Sequence, residues 1–584
     1  MPISKSTEKI WKRLNRDLTG KPSYRANKTG SSRRFIPKER CANPDTVRFI
    51  TELLSSEGKA SLQNTIYTLS CMLLDRSDCD GKLVESFKTE YGRTHTFEQQ
   101  LAQLELPEDF DLLGTAYQSF LTEGVKNSTG SYYTVRSVAQ ELLDSLGAKQ
   151  GATFLDPCCG SGTFLMLAQA MGLKVSGVDS DPIAAMIAKA NLIRSGAKEY
   201  PDVRVTDFVS QWKSERRRFD FAATNPPWSS KTKNVYADVS SFFFMKTLSL
   251  LKSGGKLAFL MPISMLNIAS HRLFREQLFS DCRLLEIRKF DTKFSGVQTD
   301  FVSILAEKAK PAETFRMIGT GEVREIPLSL FQLTEQKTIF SVTEPEVEII
   351  YKILSKGELS LADSKWALGI VTGNNKKHLK ELPGQGLEPI YTGKEIRPFY
   401  INKPRYFVHF DRAAFQQTAP DEIYRTAPKI IYRFISNHLV FAAERSGALV
   451  LNSANILIPN VPELSFEALL ALLNSKVYSF VYQVLFGQIK VLRSNLLQLK
   501  FPRISSEQDD ELKALVYAAE AKLTDDIEEE INRAVFNIYG LDDDEISVIR
   551  KRLGKLCKIR NFSQSPFGGF ISEESDGNFP SGRN

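Results

Sequence analysis

Short apolar segments alternate with helical stretches between residues 130 and 308, and this alternation constrains the fold more than any other feature. The expected strands are Thr153–Leu155, Lys174–Val178, Val203–Val205, Phe219–Thr224, Lys256–Met261, Leu284–Arg288 and Phe301–Leu305. Strands that alternate with helices predict a mostly parallel sheet with helices on its faces. We therefore predict an α/β fold with a doubly wound, Rossmann-like core.

The remaining chain divides by texture. Apolar residues recur at helical spacing from Pro44 to about Gly124. Beyond residue 355, short segments broken by Gly, Pro and Asn predict a mixed α/β domain. The predicted parts are a basic arm and helical region (1–124), the core (125–310), a connector (311–354), the mixed domain (355–505), and a helical segment with a flexible tail (506–584).

Composition narrows the functional classes. The 584 residues are 42% apolar and 25% charged, as in soluble globular proteins. We find no apolar run of about 18 residues and no signal-peptide pattern, so we expect neither a membrane nor a secreted protein. The seven cysteines form no C-x-x-C pair and indicate reduced cytosolic thiols, and the five histidines form no cluster, so we expect no metal site.

Positive charge is concentrated at the N-terminus. Between Met1 and Arg40, twelve Lys/Arg residues face three acids, an excess larger than the net charge of +7 for the whole chain. Such an arm suits contact with a phosphate backbone. A solvated, partly disordered terminus is an equally good interpretation.

The first chemical motif is Phe-Leu-Asp-Pro-Cys-Cys-Gly-Ser-Gly-Thr-Phe-Leu, residues 154–165. An apolar strand ends at Asp156, passes through a turn containing Gly160 and Gly162, and enters a helix. Glycines there let the backbone approach a ligand closely. No Gly-Lys-Ser/Thr follows, so the motif is not a phosphate-binding P-loop.

The second motif is an acid at the end of the next strand. Asp179 lies 23 residues after Asp156, where a carboxylate can accept hydrogen bonds from ribose hydroxyls. The alternative is a surface acid or helix cap. Asp181, directly before Pro182, is the better candidate for that cap.

The third motif is the most diagnostic: Asn225-Pro226-Pro227-Trp228 follows the strand that ends at Thr224. Ligands bind outside the carboxyl ends of such strands. The prolines make a rigid turn whose carbonyls have no competing N–H groups. The Asn225 side chain and the Pro226 carbonyl can both accept hydrogen bonds from one amino group, and Trp228 offers a flat face for a planar base.

Together, these motifs resemble the gamma-type amino-methyltransferases of bacterial restriction-modification systems, in which cofactor motifs precede the catalytic motif and the target-recognition domain comes last. The closest resemblance is to N6-adenine DNA methyltransferases related to Type I modification subunits and to the methylating part of Type IIG enzymes. Leu113–Tyr117 and Gly130–Thr134 also match the family. More loosely, Gly369–Gly373, Tyr391–Ile396 and Asn452–Asn455 resemble its recognition domain.

The resemblance implies S-adenosylmethionine as cofactor and double-stranded DNA as partner, and leaves a restriction or specificity subunit open as a second partner. The implied cofactor residues are Thr134, Asp156, Pro157, Gly160, Gly162, Asp179 and Asp207. The implied catalytic residues are Asn225, Pro226, Pro227, Trp228 and Phe294, with Phe290 as the alternative to Phe294. Adenine would be flipped out of the duplex, stacked on the two aromatic rings and methylated without a covalent intermediate.

Two departures from the family pattern bear on these expectations. Val135 stands where Pro is usual, and Trp228 replaces the commoner Tyr or Phe. The Trp228 substitution leaves N4-cytosine methylation as an alternative, although Asn225 favours adenine. Pro157-Cys158 resembles the nucleophile motif of cytosine C5 methylation, but its place in the cofactor turn indicates a small turn residue.

Two other functional classes remain open. Asp45 with Glu57-Gly58-Lys59 superficially matches a metal-dependent nuclease motif, but its surroundings look helical. The chain could also be a recognition subunit that is active only with a partner. Its candidate DNA contacts are Arg397, Lys403, Arg405, Lys429, Arg433 and Arg445, most of them expected to be ordinary surface charges.

Overall fold

The computed structural model describes residues 34, 44–56, 59–92, 94–103, 110–122, 125–126, 134–228, 236, 238–290, 300–319, 322–487 and 490–562. The chain divides into two compact units. Of the described residues, the first unit contains 34–332 and 336–339, and the second contains 333–335 and all residues from 340 onward. Apart from Arg34, the basic arm lies outside the described residues, and so does Phe294.

The first unit is built on one sheet with the strand order β3-β2-β1-β4-β5-β7-β6-β8-β9. In the described chain the strands are β1 Thr153–Asp156, β2 Lys174–Asp179, β3 Asp202–Val205, β4 Phe219–Thr224, β5 Leu251–Pro262, β6 Arg283–Lys289, β7 Phe301–Glu307, β8 Thr314–Gly319 and β9 Glu322–Pro327. β1 to β5 pair in parallel, whereas β7 runs antiparallel between β5 and β6. The predicted doubly wound α/β core is confirmed.

The sheet extends beyond the predicted core. Residues 311–354 were expected to form a connector, yet β8 pairs in parallel with β6 and antiparallel with β9. Phe315 and Met317 on β8 are buried and Arg316 between them is exposed. This period-two pattern is the ordinary signal of a half-buried strand, and it was present in the sequence.

The helices of the first unit are α1 Pro44–Ser56, α2 Lys59–Arg76, α3 Gly81–Tyr91, α4 Glu98–Ala102, α5 Leu112–Phe120, α6 Arg136–Leu146, α7 Thr163–Ala170, α8 Pro182–Arg194, α9 Phe208–Gln211, α10 Val239–Leu250, α11 Arg272–Ser280 and α12 Leu328–Gln332. Helix α8 is buried from Ala184 to Ile193 because it contacts β2 and β3 as well as α2, α3 and α5. Apart from Lys189 and Asn191, residues 183–193 are apolar on every side of the helix, as a helix packed on several sides requires.

The nuclease alternative needs adjacent strands around Asp45 and Lys59. The structure instead has helix α1 at Asp45, and helix α2 begins at Lys59. Within the described residues this region therefore lacks the strand pair that would bring the carboxylates of such a motif together.

The second unit combines small sheets with helices. Its strands are β10 Leu359–Ser360, β11 Lys365–Leu368, β12 Leu379–Lys380, β13 Glu388–Tyr391, β14 Tyr406–Val408, β15 Lys429–Arg433, β16 Phe441–Glu444, β17 Leu449–Val450, β18 Ala454–Ile458 and β19 Lys500–Phe501. The sheet orders are β11-β18-β15-β16, β12-β14-β13-β17 and β10-β19. This arrangement is the mixed α/β domain that the sequence predicted.

The helices of the second unit are α13 Glu344–Ser355, α14 Asn375–His378, α15 Asp421–Arg425, α16 Phe466–Asn474, α17 Lys476–Phe486, α18 Arg493–Leu496, α19 Ser506–Lys522, α20 Asp525–Tyr539 and α21 Asp543–Phe562. In the part of the chain that the structure describes, no single helix is long and apolar enough to cross a membrane. Only α16 and α17 taken together reach that length and apolarity, and they are bent by 59° at their junction.

Candidate active site at the carboxyl edge of the sheet

The three sequence motifs meet at one edge of the sheet. β2, β1 and β4 are adjacent and parallel, so their carboxyl ends lie side by side. Asp179 and Asp156 end β2 and β1, and Asn225 directly follows β4. An edge of this kind at neighbouring parallel strands is where α/β sheets bind ligands.

The glycine turn after β1 is held by β2 and by helix α8. The Gly160 amide donates to Asp179 Oδ2 at 2.8 Å, and the Cys159 amide donates to the Val178 carbonyl at 2.9 Å. Gly162 has a φ of +90°, and a Cβ built there would lie 3.2 Å from the Cβ of Ala188. The turn therefore needs glycine both for its backbone conformation and for its packing.

Asp156 is almost completely buried at the base of this turn. Its Oδ1 accepts hydrogen bonds from the Thr224 hydroxyl at 2.6 Å and from the Cys158 amide at 3.2 Å. Its Oδ2 has no hydrogen-bond partner among the described residues. Burial raises the pKa of Asp156 to about 7, although the Thr224 hydrogen bond opposes the shift.

Asp179 also has a raised pKa. Burial raises it to about 6, despite hydrogen bonds from the amides of Asp181 at 2.9 Å and Gly160 at 2.8 Å. In the described part of the chain, no Lys or Arg lies within ion-pair distance of Asp156 or Asp179. The edge thus carries two carboxylates whose partners are neutral donors, an environment that favours a cationic or hydrogen-donating ligand.

Asp181 is the cap of helix α8, as the sequence predicted. Its Oδ1 accepts from the Ile183 amide at 2.9 Å, while the Tyr117 hydroxyl donates to its Oδ2 at 2.6 Å. Tyr117 lies on helix α5. The pair therefore ties α5 to the start of α8, a contact that no sequence spacing indicated.

Asp111 contacts the glycine turn and helix α8, and the sequence analysis missed it. This buried side chain accepts from the Gly114 amide at 2.8 Å, from Asn191 Nδ2 at 2.8 Å and from the Ser161 hydroxyl. A Cβ at Gly114 would lie 2.5 Å from the Cβ of Ser161. Because position 114 is a glycine, helix α5 can pack directly against the glycine turn. This is a physical reason for the glycine in Leu113–Tyr117.

The Asn-Pro-Pro-Trp turn is held at its far end by two hydrogen bonds. The Ser240 hydroxyl donates to the Pro227 carbonyl at 3.0 Å, and Trp228 Nε1 donates to the Leu260 carbonyl at 3.3 Å. Asn225 is half-buried. Since the indole N–H donates to the strand backbone, the protein itself sets the orientation of the ring.

Aromatic rings continue behind Trp228. The Trp228 and Phe301 ring centroids are 6.1 Å apart, and those of Phe301 and Phe290 are 5.4 Å apart. Phe290 is only 9% exposed and belongs to the core. Phe294 lies outside the described residues, so its predicted stacking role remains a prediction.

Two further predicted cofactor residues are Thr134 and Asp207. Thr134 is buried just before helix α6, and residues 130–133 of its motif lie outside the described chain. Asp207 is exposed and caps α9 by accepting from the Val209 amide at 3.0 Å. The Thr206 amide donates to the Asp179 carbonyl at 2.8 Å, so Asp207 follows β3 beside the end of β2.

Cys158 connects the glycine turn with the Asn-Pro-Pro-Trp turn. Its sulfur lies 2.9 Å from the Thr224 hydroxyl and 3.7 Å from the Asn225 carbonyl. Burial first, and then the Asp156 charge, raise the pKa of the Cys158 thiol well above its ordinary value. The thiol is therefore held protonated, the opposite of what a cysteine nucleophile needs.

The structure separates the six candidate DNA contacts of the second unit. Lys429 is fully buried and pairs with Glu444, while Arg445 pairs with Glu467 and Glu520. The prediction for Lys429 is wrong because its side chain is fully buried, whereas Arg445 is partly exposed and its DNA contact stays a prediction. Lys429 lies in strand β15, in which the residues from Lys429 to Tyr432 are all buried.

These features define an amino-methyltransferase core: a doubly wound sheet with a glycine turn after β1, an acid after β2 and an Asn-Pro-Pro-Trp turn after β4. The chain matches the N-6 DNA Methylase family over residues 108–287 and the TaqI-like C-terminal specificity domain over residues 388–503. It belongs to the N-6 DNA methylase family of restriction-modification methyltransferases.

Two relatives and one solved structure are similar to the chain. The chain is 31% identical over 306 residues to the Type II methyltransferase M.VspI of Vibrio sp. (strain 343), covering 49% of this chain and 74% of that protein. It is 36% identical over 131 residues to the Type I restriction enzyme MjaIX methylase subunit of Methanocaldococcus jannaschii, covering 20% and 23%. The crystal structure of the type IIG restriction endonuclease BpuSI has a TM-score of 0.43 at 12% identity, covering 90% of this chain and 81% of that one.

Proposed function

We propose that the protein transfers a methyl group from S-adenosylmethionine to the exocyclic N6 of adenine in double-stranded DNA, at a sequence selected by its specificity domain. The observation that carries this proposal is the Asn225–Trp228 turn, anchored beside Asp156 and the glycine turn at one edge of the sheet. The family match and the specificity domain support DNA as the substrate.

The residues around the glycine turn fit S-adenosylmethionine. Asp156 Oδ2 is buried without a hydrogen-bond partner in the described chain, and Asp179 presents a carboxylate without a cation. S-adenosylmethionine carries an ammonium, a sulfonium and ribose hydroxyls, and when bound it supplies the methyl group. Asp179 would accept from the ribose hydroxyls, Asp207 from the adenine amine, and Thr134 would contact the methionine end.

The catalytic turn would act by position and electrostatics. The amine of adenine is a poor nucleophile because its lone pair is delocalised into the ring. The Asn225 side-chain oxygen and the Pro226 carbonyl would accept its two N–H groups and stabilise the positive charge that develops on nitrogen. Trp228, with Phe294 on the other face, would stack on the flipped base and offset part of the cost of unstacking.

Nucleoside mass spectrometry tests the reaction. Duplex DNA of mixed sequence is incubated with the protein and methyl-labelled S-adenosylmethionine, digested and analysed. We expect labelled N6-methyladenine, and a loss of about 100- to 1,000-fold in the Asn225→Ala variant, because that change removes an acceptor used in the transition state. An Asn402→Ala variant, which changes an exposed asparagine in the second unit, serves as the control and should retain activity.

Each other result changes the proposal in a defined way. Labelled N4-methylcytosine would keep the mechanism and contradict the choice of adenine. If the protein binds cofactor but labels no nucleoside, the catalytic proposal fails for the chain alone. Repeating the assay after addition of a candidate specificity subunit then separates a partner-dependent enzyme from an inactive one.

A further inference from the structure

The second unit contains a cleft whose ionisable lining is entirely basic. The cleft has a volume of about 530 Å³ and is lined by Gly393, Lys394, Arg397, Arg433, Phe434, Ile435 and Ser453. Three of these residues are cations and none is an acid. In the described chain, no carboxylate lies within ion-pair distance of the three.

Two of the cations are held next to each other by backbone oxygens. Arg397 Nη1 donates to the Lys394 carbonyl at 2.7 Å and to the Ile396 carbonyl at 3.0 Å. Arg433 donates to the same Ile396 carbonyl, from Nη2 at 2.6 Å and from Nε at 3.1 Å. Burial and the Arg397 charge lower the pKa of Arg433, so the like charges sit close enough to repel each other.

The nearest acid in the sequence does not relieve this repulsion. Glu395 directly follows Lys394 in the sequence, but its side chain is buried. Its Oε2 accepts from the amide of Thr392 at 2.8 Å and from its hydroxyl at 2.6 Å. The cations therefore remain uncompensated inside a concave surface, which costs free energy that an anionic ligand would recover.

The cleft is built where two sequence motifs meet. A Cβ at Gly393 would lie 2.6 Å from the Ser453 carbonyl, so only glycine allows the 391–396 loop this close to the 452–455 segment. The Gly393 amide also donates to the Ser453 hydroxyl at 3.0 Å. Both motifs resemble segments of the family's recognition domain, and the basic cleft forms where they meet.

We propose that this cleft, formed by Lys394, Arg397 and Arg433, binds the phosphate backbone of duplex DNA and not the edges of its bases. The proposal rests on the proposed function, because it takes DNA as the substrate. Guanine O6 and N7 also accept hydrogen bonds from Arg and Lys, but a base carries no formal charge, whereas each phosphate carries a negative charge. Three cations without a carboxylate partner in the described chain therefore favour phosphate.

Salt-dependent DNA affinity tests this assignment. Binding of a fluorescein-labelled 30-base-pair duplex is followed by anisotropy across a salt series, for the full chain with Lys394→Gln, Lys394→Arg or Arg397→Gln. The Lys394 variants decide the test. Lys394 is exposed and its ammonium makes no hydrogen bond in the described chain, so replacing the side chain should not disturb folding. The control is Lys522→Gln, an exposed lysine at the end of α19.

We expect Lys394→Gln to reduce the slope of log affinity against log salt by about 0.9, the value for one lost phosphate contact. The loss of affinity should be the same for duplexes of different base sequence. Lys394→Arg should keep the wild-type slope because it keeps the charge. Arg397→Gln should reduce the slope at least as much, provided that its thermal unfolding midpoint matches the wild type.

Three results would overturn the inference. The first is a Lys394→Gln slope equal to that of Lys522→Gln. The second is a loss of affinity confined to one sequence, which indicates base reading. The third is a wild type that does not bind DNA. A wild type that binds DNA with the expected slope but methylates nothing would contradict the proposed function and leave the cleft assignment standing.

Discussion

In the first unit, Asp156 and Asp179 are held by neutral donors, whereas in the second unit Glu444 is buried against the ammonium of Lys429. Glu444 also accepts from the amides of Gly447 at 3.0 Å and Ala448 at 3.1 Å. Lys429 donates to the carbonyls of Tyr424 and Thr426 as well. In the second unit, both charged groups of the pair have hydrogen-bond partners within the protein. In the first unit, Asp156 Oδ2 has none among the described residues.

This difference teaches how to tell a structural buried charge from a functional one. A buried pair with every oxygen and proton occupied stabilises a loop and leaves nothing for a ligand. A buried carboxylate with a raised pKa and an oxygen without a partner is costly in the free protein. Such a carboxylate is expected where a ligand completes its hydrogen bonds.

The largest expected effect is on the complete pair. Glu444→Gln should lower the free energy of unfolding by about 3–5 kcal/mol, because it leaves the Lys429 charge buried without a counterion. Chemical denaturation measures this change. Glu381→Gln, at an exposed pair 3.8 Å from Arg405, should change stability by less than about 1 kcal/mol. Equal effects for the two variants would break the comparison.

The incomplete carboxylate should respond in the opposite direction. A folded-state pKa of about 7 means that, above the ordinary pKa of 3.8, the folded protein binds more protons than the unfolded chain, so stability falls as pH rises towards and through 7. Asp156→Asn removes this loss. Relative to wild type, the variant should therefore gain about 1–3 kcal/mol of stability between pH 5 and pH 8, while binding S-adenosylmethionine more weakly.

Unfolding at both pH values, together with calorimetric titration of the cofactor, checks this prediction. Asp220→Asn is the control, since Asp220 pairs with Lys252 and its pKa is lowered to about 2. That control should show no relative gain between pH 5 and pH 8. A pH-independent difference for Asp156→Asn would mean that its carboxylate is not the source of the cost.

Cofactor affinity should itself depend on pH. The raised pKa of Asp179, about 6, means that its carboxylate is progressively protonated as pH falls from 7.5 to 5. A protonated carboxyl is a weaker acceptor, so S-adenosylmethionine affinity should fall by up to about tenfold over this range. Asp179→Asn should bind weakly at every pH with a flatter profile. If its profile stayed as steep as the wild type, another group would control the titration.

The smallest effect concerns anchoring without charge. Trp228→Phe keeps an aromatic face but removes the hydrogen bond to the Leu260 carbonyl, so kcat should fall by roughly 3–10-fold. Trp228→Ala removes the face as well and should reduce kcat by roughly 100-fold. Steady-state methylation of a short duplex measures both. A Phe variant as slow as the Ala variant would show that anchoring, more than stacking, is the contribution of this residue.

Much of the first unit could be predicted because its signals are local. All seven predicted strands are present, and Asp156, Asp179 and Asn225 lie at strand ends as expected. Apolar periodicity and turn residues act over a few positions, so they can be read directly from the chain. The strand β8 had the same signal in Phe315 and Met317, and it was missed only because the region was taken for a connector.

The contacts around the site could not be predicted because they join distant positions. Asp111 receives Ser161 and Asn191 from 50 and 80 residues away, and Tyr117 reaches Asp181 across 64. Each of these side chains is ordinary in its local sequence. Only packing of α5 against α8 and the glycine turn gives them a shared role.

By itself, the sequence determined the α/β class of the core, its seven predicted strands and the position of the three motifs at strand ends, and it predicted a mixed domain after residue 355. Only the tertiary structure decided which charges are neutralised and which remain available. Lys429 and Arg433 lie four residues apart on one strand, yet Lys429 is buried against Glu444 and Arg433 lines an open cleft. The charge of a side chain is local, but its partner depends on strand pairing and packing, which no short segment specifies.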